Sequence, residues 1–396
     1  MSLAKGELRP LVVLLTVIFL NIAGFGLVIP LLPFFGEAFH APAWQITLLF
    51  SMFSAGQFLG EPFWGRLSDR IGRRPVLITT IAIAALLYFA LAFSPNIMVA
   101  LVARFAGGFF SGNISTLQSS MADITPPQQR AARMGLIGGA FSAGFMMGPA
   151  IGGLLAQPER GALGFQLPLF LAAACGLASA LAVLLVVRET SPKTDAPRVA
   201  ARHRLREAFR HPVISRVIPI SFITISGFAG TESIFGLWTE ARFGWGPRQI
   251  GVAFMLIGAL GVFCQGFLTG RLVRRHGEIL VISSGLTLMF VGMLTQCFAP
   301  VWEVAVVGFS LICIGQSISF PNLSGLISRS APPGRQGEML GLNMSSNSLA
   351  RIGGPIYAGQ LFSLISPGAP YILAAVLLVV AFGVAMRLRR EVPLIT

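Results

Sequence analysis

Twelve stretches of this chain are long and apolar enough to cross a lipid bilayer, and nothing else in it constrains the fold as much. They run over residues 11–35, 45–64, 76–94, 97–121, 134–157, 165–187, 214–237, 248–270, 278–297, 301–326, 338–362 and 368–388. About 20 apolar residues span the hydrocarbon layer as a helix. No water is present there to satisfy the backbone, so every span is expected to be helical. Charged residues make up 11% of the chain, against about a quarter in a soluble protein. The expected fold is an all-α membrane protein of twelve transmembrane helices in two pseudo-symmetric six-helix bundles.

The net charge of +14 would suggest nucleic acid in a soluble chain. Here the cations sit in short loops between apolar runs, so no nucleic-acid partner is expected. One side collects Lys5, Arg9, Arg66, Arg70, Arg73, Arg74, Arg130, Arg133, the 188–216 segment, Arg271, Arg274, Arg275, Arg329, Arg335, Arg387, Arg389 and Arg390. The other holds Arg160, Arg242 and Arg248. Basic loops stay in the cytoplasm, so both termini are expected there, in a cell (inner) membrane protein. The first apolar run is too long for a cleavable signal peptide and lacks a small-residue cleavage site.

The longest polar interruption, Arg188 to His211, divides the chain into 1–187, a basic linker 188–212, and 213–396. Its Arg202–Arg210 part could lie on the anionic inner leaflet or serve as a plain linker. The two halves repeat. Pro126-Pro127 returns as Pro332-Pro333, Gly135-Leu136 as Gly341-Leu342, and Gly148-Pro149 as Gly354-Pro355, each 206 residues on. Gly65-Arg66-Leu67 returns as Gly270-Arg271-Leu272 after 205 residues, with Arg274 where the first copy has Asp69. Repeated halves of this kind place a binding site near the midplane. Cys175, Cys264, Cys297 and Cys313 lie in apolar runs without metal-ligand spacing, so no disulfide, metal or cofactor is expected. Four histidines and few acids form no catalytic spacing, which argues against an enzyme.

The segment Gly65 to Pro75 packs Arg66, Arg70, Arg73, Arg74 and Asp69 between two apolar runs and reads as a charged hairpin. Gly65 and Gly72 would allow the reversal. Pro75 suits the first turn of the next helix, and Asp69 would sit at that helix's positive end. Among intramembrane groups, Glu232 is the clearest acid; a carboxyl at its depth should face a cavity, where it could exchange a proton. Glu61 shares a face with Ser54 and Gln57, and a salt bridge to the nearby arginines would account for it equally. Asp123, Glu278 and Glu338 are placed at helix ends. Arg104 lies about 10 Å along its helix from the outer end, functional or snorkelling outward. Asn343, Asn347 and Arg351, four apart, should share a face. Arg351 then needs an acid, an anion or a wet cavity, and Glu232 is nearest in depth. Asn113, Gln118, Gln316 and Asn322 could line a cavity.

Several of these strings carry a resemblance. The spacing Gly65-x-x-x-Asp69-Arg70-x-Gly72-Arg73-Arg74-Pro75 resembles the loop between helices two and three of the major facilitator superfamily. Gly144-x-x-x-Gly148-Pro149-x-x-Gly152-Gly153 is similar to the signature of its antiporter branch. Gly24 to Pro33, Ala122 to Thr125, and Arg188-Glu189-Thr190 resemble the twelve-span drug–proton antiporters, tetracycline exporters included. Two positions depart from that pattern: Asn21 and Leu87 stand where it has aspartates. The resemblance implies alternating access, with outward export of a small amphipathic substrate in exchange for protons. It implies proton roles for Arg104 with Glu232 or Glu61, a latch at the hairpin, a cavity near Asn21, and a monomer. An exporter of a sugar, metabolite or siderophore on the same fold, and a non-transporting receptor or assembly protein, are the alternatives.

Overall fold

The computed structural model describes residues 5–125, 130–189, 211–332 and 335–391. Most of the basic linker, with Arg202–Arg210, and Pro126, Pro127 and Pro333 of the repeat lie outside the described residues. The described chain is helical almost throughout, and no strand occurs among the described residues.

In the first half α1 (Lys5–Val28) continues through a 3-10 turn at Ile29–Leu31 into α2 (Leu32–Glu37). Then come α3 (Ala43–Ile71), α4 (Arg73–Ala92), α5 (Ile97–Phe110) and α6 (Ile114–Asp123), α7 (Arg130–Leu155) and α8 (Gln166–Val186). The second half holds α9 (Ile214–Phe243), α10 (Pro247–Phe263), a π turn at Cys264–Leu268, and α11 (Thr269–His276). It closes with α12 (Glu278–Phe298), α13 (Trp302–Ser330), α14 (Gln336–Leu364) and α15 (Ala369–Glu391). Joining α1 to α2, α5 to α6 and α10 to α11 gives twelve spans, six per half.

Ten spans qualify as membrane-crossing by length and hydropathy alone. The two that do not, α3 and α14, are 29 residues each, so length is not what disqualifies them. Helix α3 carries Gln57, Glu61, Arg66, Asp69 and Arg70, and α14 carries Asn343, Asn347, Arg351 and Gln360. The two most polar spans are thus where the sequence places many of its candidate residues.

The chain forms two compact units, Met1–Ala196 with Trp245–Leu256, and Pro197–Gly244 with Ile257–Thr396. In the first, α1 packs along α7 and α8, α3 along α5, and α4 along α8 and α5. One buried core of this unit joins Leu11, Leu14, Val17, Leu77, Leu117, Met121 and Val183. In the second, α9 packs along α14, α15 and α13, and α12 along α13 and α15. Large apolar side chains such as Leu86, Val102, Leu185, Leu364 and Val380 stay exposed, as lipid-facing groups do.

Glycines set the closest seams. Without a hydrophobic drive between helices in lipid, close backbone packing does the work. A methyl group at Gly144 would come within 2.7 Å of the Phe19 carbonyl oxygen, and one at Gly148 within 2.9 Å of the Gly26 Cα. One at Gly152 would overlap the Leu27 carbonyl. The antiporter-like string is therefore the docking edge of α7 on α1. Gly354 does the same for α14 on α9, where a methyl would sit 2.5 Å from the Ser226 carbonyl oxygen. Gly153 faces α10, with the Gly251 Cα 3.0 Å from an added methyl.

Candidate functional site

Three charged clusters stand out, two in the first unit and one in the second. The first is the hairpin between α3 and α4. Helix α3 runs to Ile71, and the reversal falls on Gly72 alone, whose φ of +107° suits glycine. Gly65 lies inside α3, where an added methyl would meet only the Ser115 hydroxyl at 3.8 Å, so it does not form the turn. Asp69 also belongs to α3, in its last turn, and does not sit at the start of α4. That end is taken by Glu189, which accepts from the Arg73 N–H at 2.7 Å and the Arg74 N–H at 3.1 Å. Those free amides are the positive end of the helix and attract a carboxylate. Pro75 does fall in the first turn of α4.

Arg73 ties the hairpin together. Its Nη1 donates to Asp69 Oδ1 and to Ser68 Oγ, each at 2.7 Å, and its Nε to Asp123 Oδ2 at 3.5 Å. Arg74 donates through Nη2 to the Leu184 carbonyl at 2.6 Å. Arg70 is exposed. Four elements, α3, α4, α6 and the end of α8, therefore meet through one arginine and one glutamate.

The second cluster surrounds Arg104 on α5. Its side chain is 3% exposed, so it does not snorkel outward. Nε donates to the Leu49 carbonyl at 3.2 Å, and the guanidinium lies 4.4 Å from the Phe53 ring centroid. Phe53 in turn packs on Phe25 at 5.0 Å. The guanidinium lines a small cavity of about 10 Å³, room for about one water, together with Phe53, Leu87, Tyr88, Leu91 and Ser111. No carboxylate pairs with it among the described residues.

The third cluster lies along α9. Glu232 is half-buried, and it makes no hydrogen bond or ion pair among the described residues. Cys313 of α13 and Arg351 of α14 are near enough to interact with it electrostatically. Arg351 is exposed, while Asn343 and Asn347 are 0% and 2% exposed in the α9–α14 seam. Four residues turn a helix by about 400°, so a spacing of four drifts about 40° each step. Two steps carry Arg351 off the face that buries Asn343. Asn347 Oδ1 accepts from Ser221 Oγ at 2.8 Å, and the amide of Asn343 is buried without a partner.

A family model described as "Major Facilitator Superfamily" matches residues 14–294 and 243–394. The chain belongs to the Major Facilitator Superfamily. Multidrug resistance protein 2 of Bacillus subtilis (strain 168) is 28% identical over 95% of this chain and 94% of its own. The class H tetracycline resistance protein of Pasteurella multocida is 28% identical over 90% and 89%. A bacterial homologue of the human lysosomal transporter Spinster, inward-facing and unoccupied, shares the fold with a TM-score of 0.81. It covers 98% of each chain at 17% identity. This member of the superfamily is a transporter, not an enzyme.

The transporter's remaining candidate residues are dispersed. Asn21 is half-buried and donates to its own helix at Val17 O, 2.9 Å. Gln57 and Glu61 are half-buried on α3, and Gln118 is exposed. Asn113 is buried and donates to Thr80 Oγ1 at 2.9 Å, bridging α4 to the α5–α6 break. Asn322 donates to Ile318 O at 2.6 Å, and Gln316 keeps a buried, unpartnered Oε1. Sequence reasoning missed Glu189 as a helix cap, because its partners are over 100 residues away. It also missed Tyr88 and Phe53 beside Arg104, since aromatic residues are common in every span. Glu240, two turns beyond Glu232 on α9, has a buried, unpartnered Oε2. An eight-residue spacing of two acids within one span was its available signal.

Proposed function

We propose that this transporter exports small amphipathic molecules in exchange for protons by alternating access, working as a monomer with both termini cytoplasmic. Drug-resistance proteins among its relatives support export. The charge asymmetry of the loops supports the orientation. Glu232 carries the proton part of the reading: it is a half-buried carboxyl in a transmembrane helix with no ion pair among the described residues. An intramembrane acid of this kind is held for function. Arg351, exposed on α14, is near enough to act on Glu232 through its charge.

The test is accumulation of one cationic and one anionic lipophilic dye in pump-deficient cells expressing this chain. Expression should lower the level of at least one dye, and a protonophore should restore it. Glu232→Gln, expressed equally, should restore it as well. Full efflux by that variant would remove Glu232 from the coupling, and unchanged levels of both dyes on expression would remove drug export.

A further inference from the structure

The α11–α12 hairpin carries cations that the described chain does not neutralise. Arg271, Arg274 and Arg275 are exposed on α11, with His276 beside them, and none of these arginines makes an ion pair among the described residues. The acid that follows them, Glu278, pairs with Arg329 instead. The α3–α4 hairpin is the contrast: there Arg73 pairs with Asp69 and Asp123, and Glu189 takes the amides of Arg73 and Arg74. Orientation in the membrane accounts for a surplus of arginine in both hairpins, and not for the lack of a counter-charge in one.

The arginines continue an apolar strip. Phe263 and Phe267 are 57% and 59% exposed, and their rings stack with centroids 5.6 Å apart. Arg271 folds back on this strip, its Nη1 donating to the Phe267 carbonyl at 2.9 Å. Phe267, Arg271 and Arg274 follow one another at spacings of four and three, which keeps them on one side of the helix. The surface therefore changes along a single line from stacked rings to guanidinium groups, at the His276 end of the Pro247–His276 span. A phospholipid has its parts in the same order, acyl chain and then phosphate. A guanidinium matches a phosphate through parallel hydrogen bonds, and arginines clustered beside a membrane span attract anionic lipid.

We propose that this side of span 8 is a binding site for an anionic phospholipid, its phosphate held by Arg271, Arg274 and Arg275 and one acyl chain laid along Phe263 and Phe267. A lipid is the occupant, and not a soluble phosphate, because the arginines adjoin exposed aromatic rings that suit a hydrocarbon chain. Seated there, it supplies to the second hairpin the negative charge that Asp69, Asp123 and Glu189 supply to the first. The proposal needs only that the chain crosses a membrane, and it stands apart from export and proton coupling.

The full-length protein, purified in an uncharged maltoside detergent, is titrated with phosphatidylglycerol, phosphatidylcholine of the same acyl chains, or glycerol phosphate while its melting temperature is followed. Phosphatidylglycerol should raise the melting temperature of the wild type, and the other two should not. Arg271→Gln, Arg274→Gln and Arg275→Gln together should lower the apparent affinity for it at least about tenfold. Arg66→Gln, Arg188→Gln and Arg387→Gln remove the same charge from exposed positions elsewhere and should leave that affinity unchanged. Phe263→Ala with Phe267→Ala keeps every arginine and should lower it several-fold, which tests the site even if the α11 variant folds poorly. Monodisperse elution identifies the variants that can be compared. Equal losses in the two arginine variants would assign the response to net charge and overturn the proposal. An undiminished response in the α11 variant or in the phenylalanine variant would overturn it too, as would equal stabilisation by phosphatidylcholine. Equal stabilisation by glycerol phosphate would overturn the lipid assignment and leave a site for a soluble anion. Each of these failures leaves the proton-coupling test at Glu232 untouched.

Discussion

Span 2 and span 8 occupy the same place in the repeat, yet only span 2 is stapled to its own half. Helix α3 docks on α5 through glycines at both ends of the contact. A methyl at Gly56 would lie 2.7 Å from the Phe109 N, and ones at Gly60 and Gly108 would overlap the Phe109 and Phe53 carbonyls. Trp64 closes this seam by donating from Nε1 to the Phe109 carbonyl at 2.8 Å. In span 8 the counterpart of Gly56 is Gly261, 205 residues on, and an added methyl there meets only Ser317 Oγ at 3.1 Å. Span 8 makes few contacts with span 10, contains the π turn Cys264–Leu268, and has its Trp245–Leu256 part grouped with the first unit. The close glycine seam of the second half lies instead between α12 and α13. A methyl at Gly292 would be 2.6 Å from the Gly308 carbonyl oxygen, and one at Gly315 2.6 Å from the Met289 Cγ. One repeat has thus been packed in two ways, fixing a different helix pair in each copy.

The α3–α4 and α11–α12 hairpins differ in a second respect: their charges are reversed. Gly277, with φ of +78°, repeats Gly72 after 205 residues (277 − 72). Glu278 then stands where Arg73 does, and Arg329 where Asp123 does (278 − 73 and 329 − 123). Arg73 pairs with Asp123 across spans 3 and 4, and Glu278 pairs with Arg329 across spans 9 and 10. The second hairpin has kept the ion pair and inverted its sign, along with Asp69 and Arg274. Among the described residues, only in the first does the backbone amide at this position also meet a distant carboxylate, Glu189.

The largest effect should come from the seam glycines. Gly56→Val pushes two methyls into the α5 backbone, and should leave little monodisperse protein after extraction. Gly261→Val displaces a hydroxyl that can rotate, and should give near wild-type yield. Overpacking against a fixed backbone costs roughly 1–3 kcal/mol or more. Equal yields would break the contrast between spans 2 and 8. Gly148→Ala and Gly354→Ala make the complementary test. Each sits on the corresponding seam within its own half, α7 on α1 and α14 on α9, so their melting temperatures should fall by similar amounts.

Next is the inverted pair. Arg73→Glu should cut dye efflux several-fold by replacing the cation that bridges Asp69 and Asp123 with a like charge. Adding Asp123→Arg copies the polarity of the second half but leaves Asp69 facing a like charge four residues away, which is unfavourable. Recovery should therefore be partial in the double variant and fuller when Asp69→Arg is added, as Arg274 suggests. If the triple variant transports no better than Arg73→Glu, the two hairpins are not interchangeable in charge.

The helical spans were legible because hydropathy reports helices in lipid directly, and the offset of 206 was enough to show two halves. What stayed hidden depended on distance along the chain. Asp69 lies next to α4 in sequence, so a local argument gave it the α4 N-terminus. The actual occupant, Glu189, is reached only once α8 returns to the same end. Arg351 was misaligned by a spacing rule that drifts over two turns. Arg104 was singled out by its cost in a membrane, but burial, Phe53 and the absence of an acid beside it required the packed α3–α4–α5 cluster. The π turn and the loose packing of span 8 have no local signature, because Gly261 and Gly266 read like any other membrane glycines.

The smallest effect concerns the cap on α4, and it decides whether the first hairpin is held from outside itself. Glu189 accepts two amide hydrogens at a helix N-terminus, and losing such an acceptor typically costs about 0.5–2 kcal/mol. Glu189→Ala should lower the melting temperature of the purified protein modestly. Glu189→Gln should lower it less, because the amide oxygen still accepts and only the charge is lost. Salt separates these terms, since screening weakens the charge contribution and leaves the neutral hydrogen bond. The gap between wild type and Glu189→Gln should therefore narrow at high ionic strength, while the gap between Glu189→Gln and Glu189→Ala persists. In the second half Glu278 belongs to the first turn of α12 itself, so Glu278→Gln should lose its ion pair with Arg329 and show a salt-sensitive loss throughout. If Glu189→Ala melts like the wild type, the end of α8 contributes nothing to holding the α3–α4 reversal. The hairpins would then differ only in the sign of their charges.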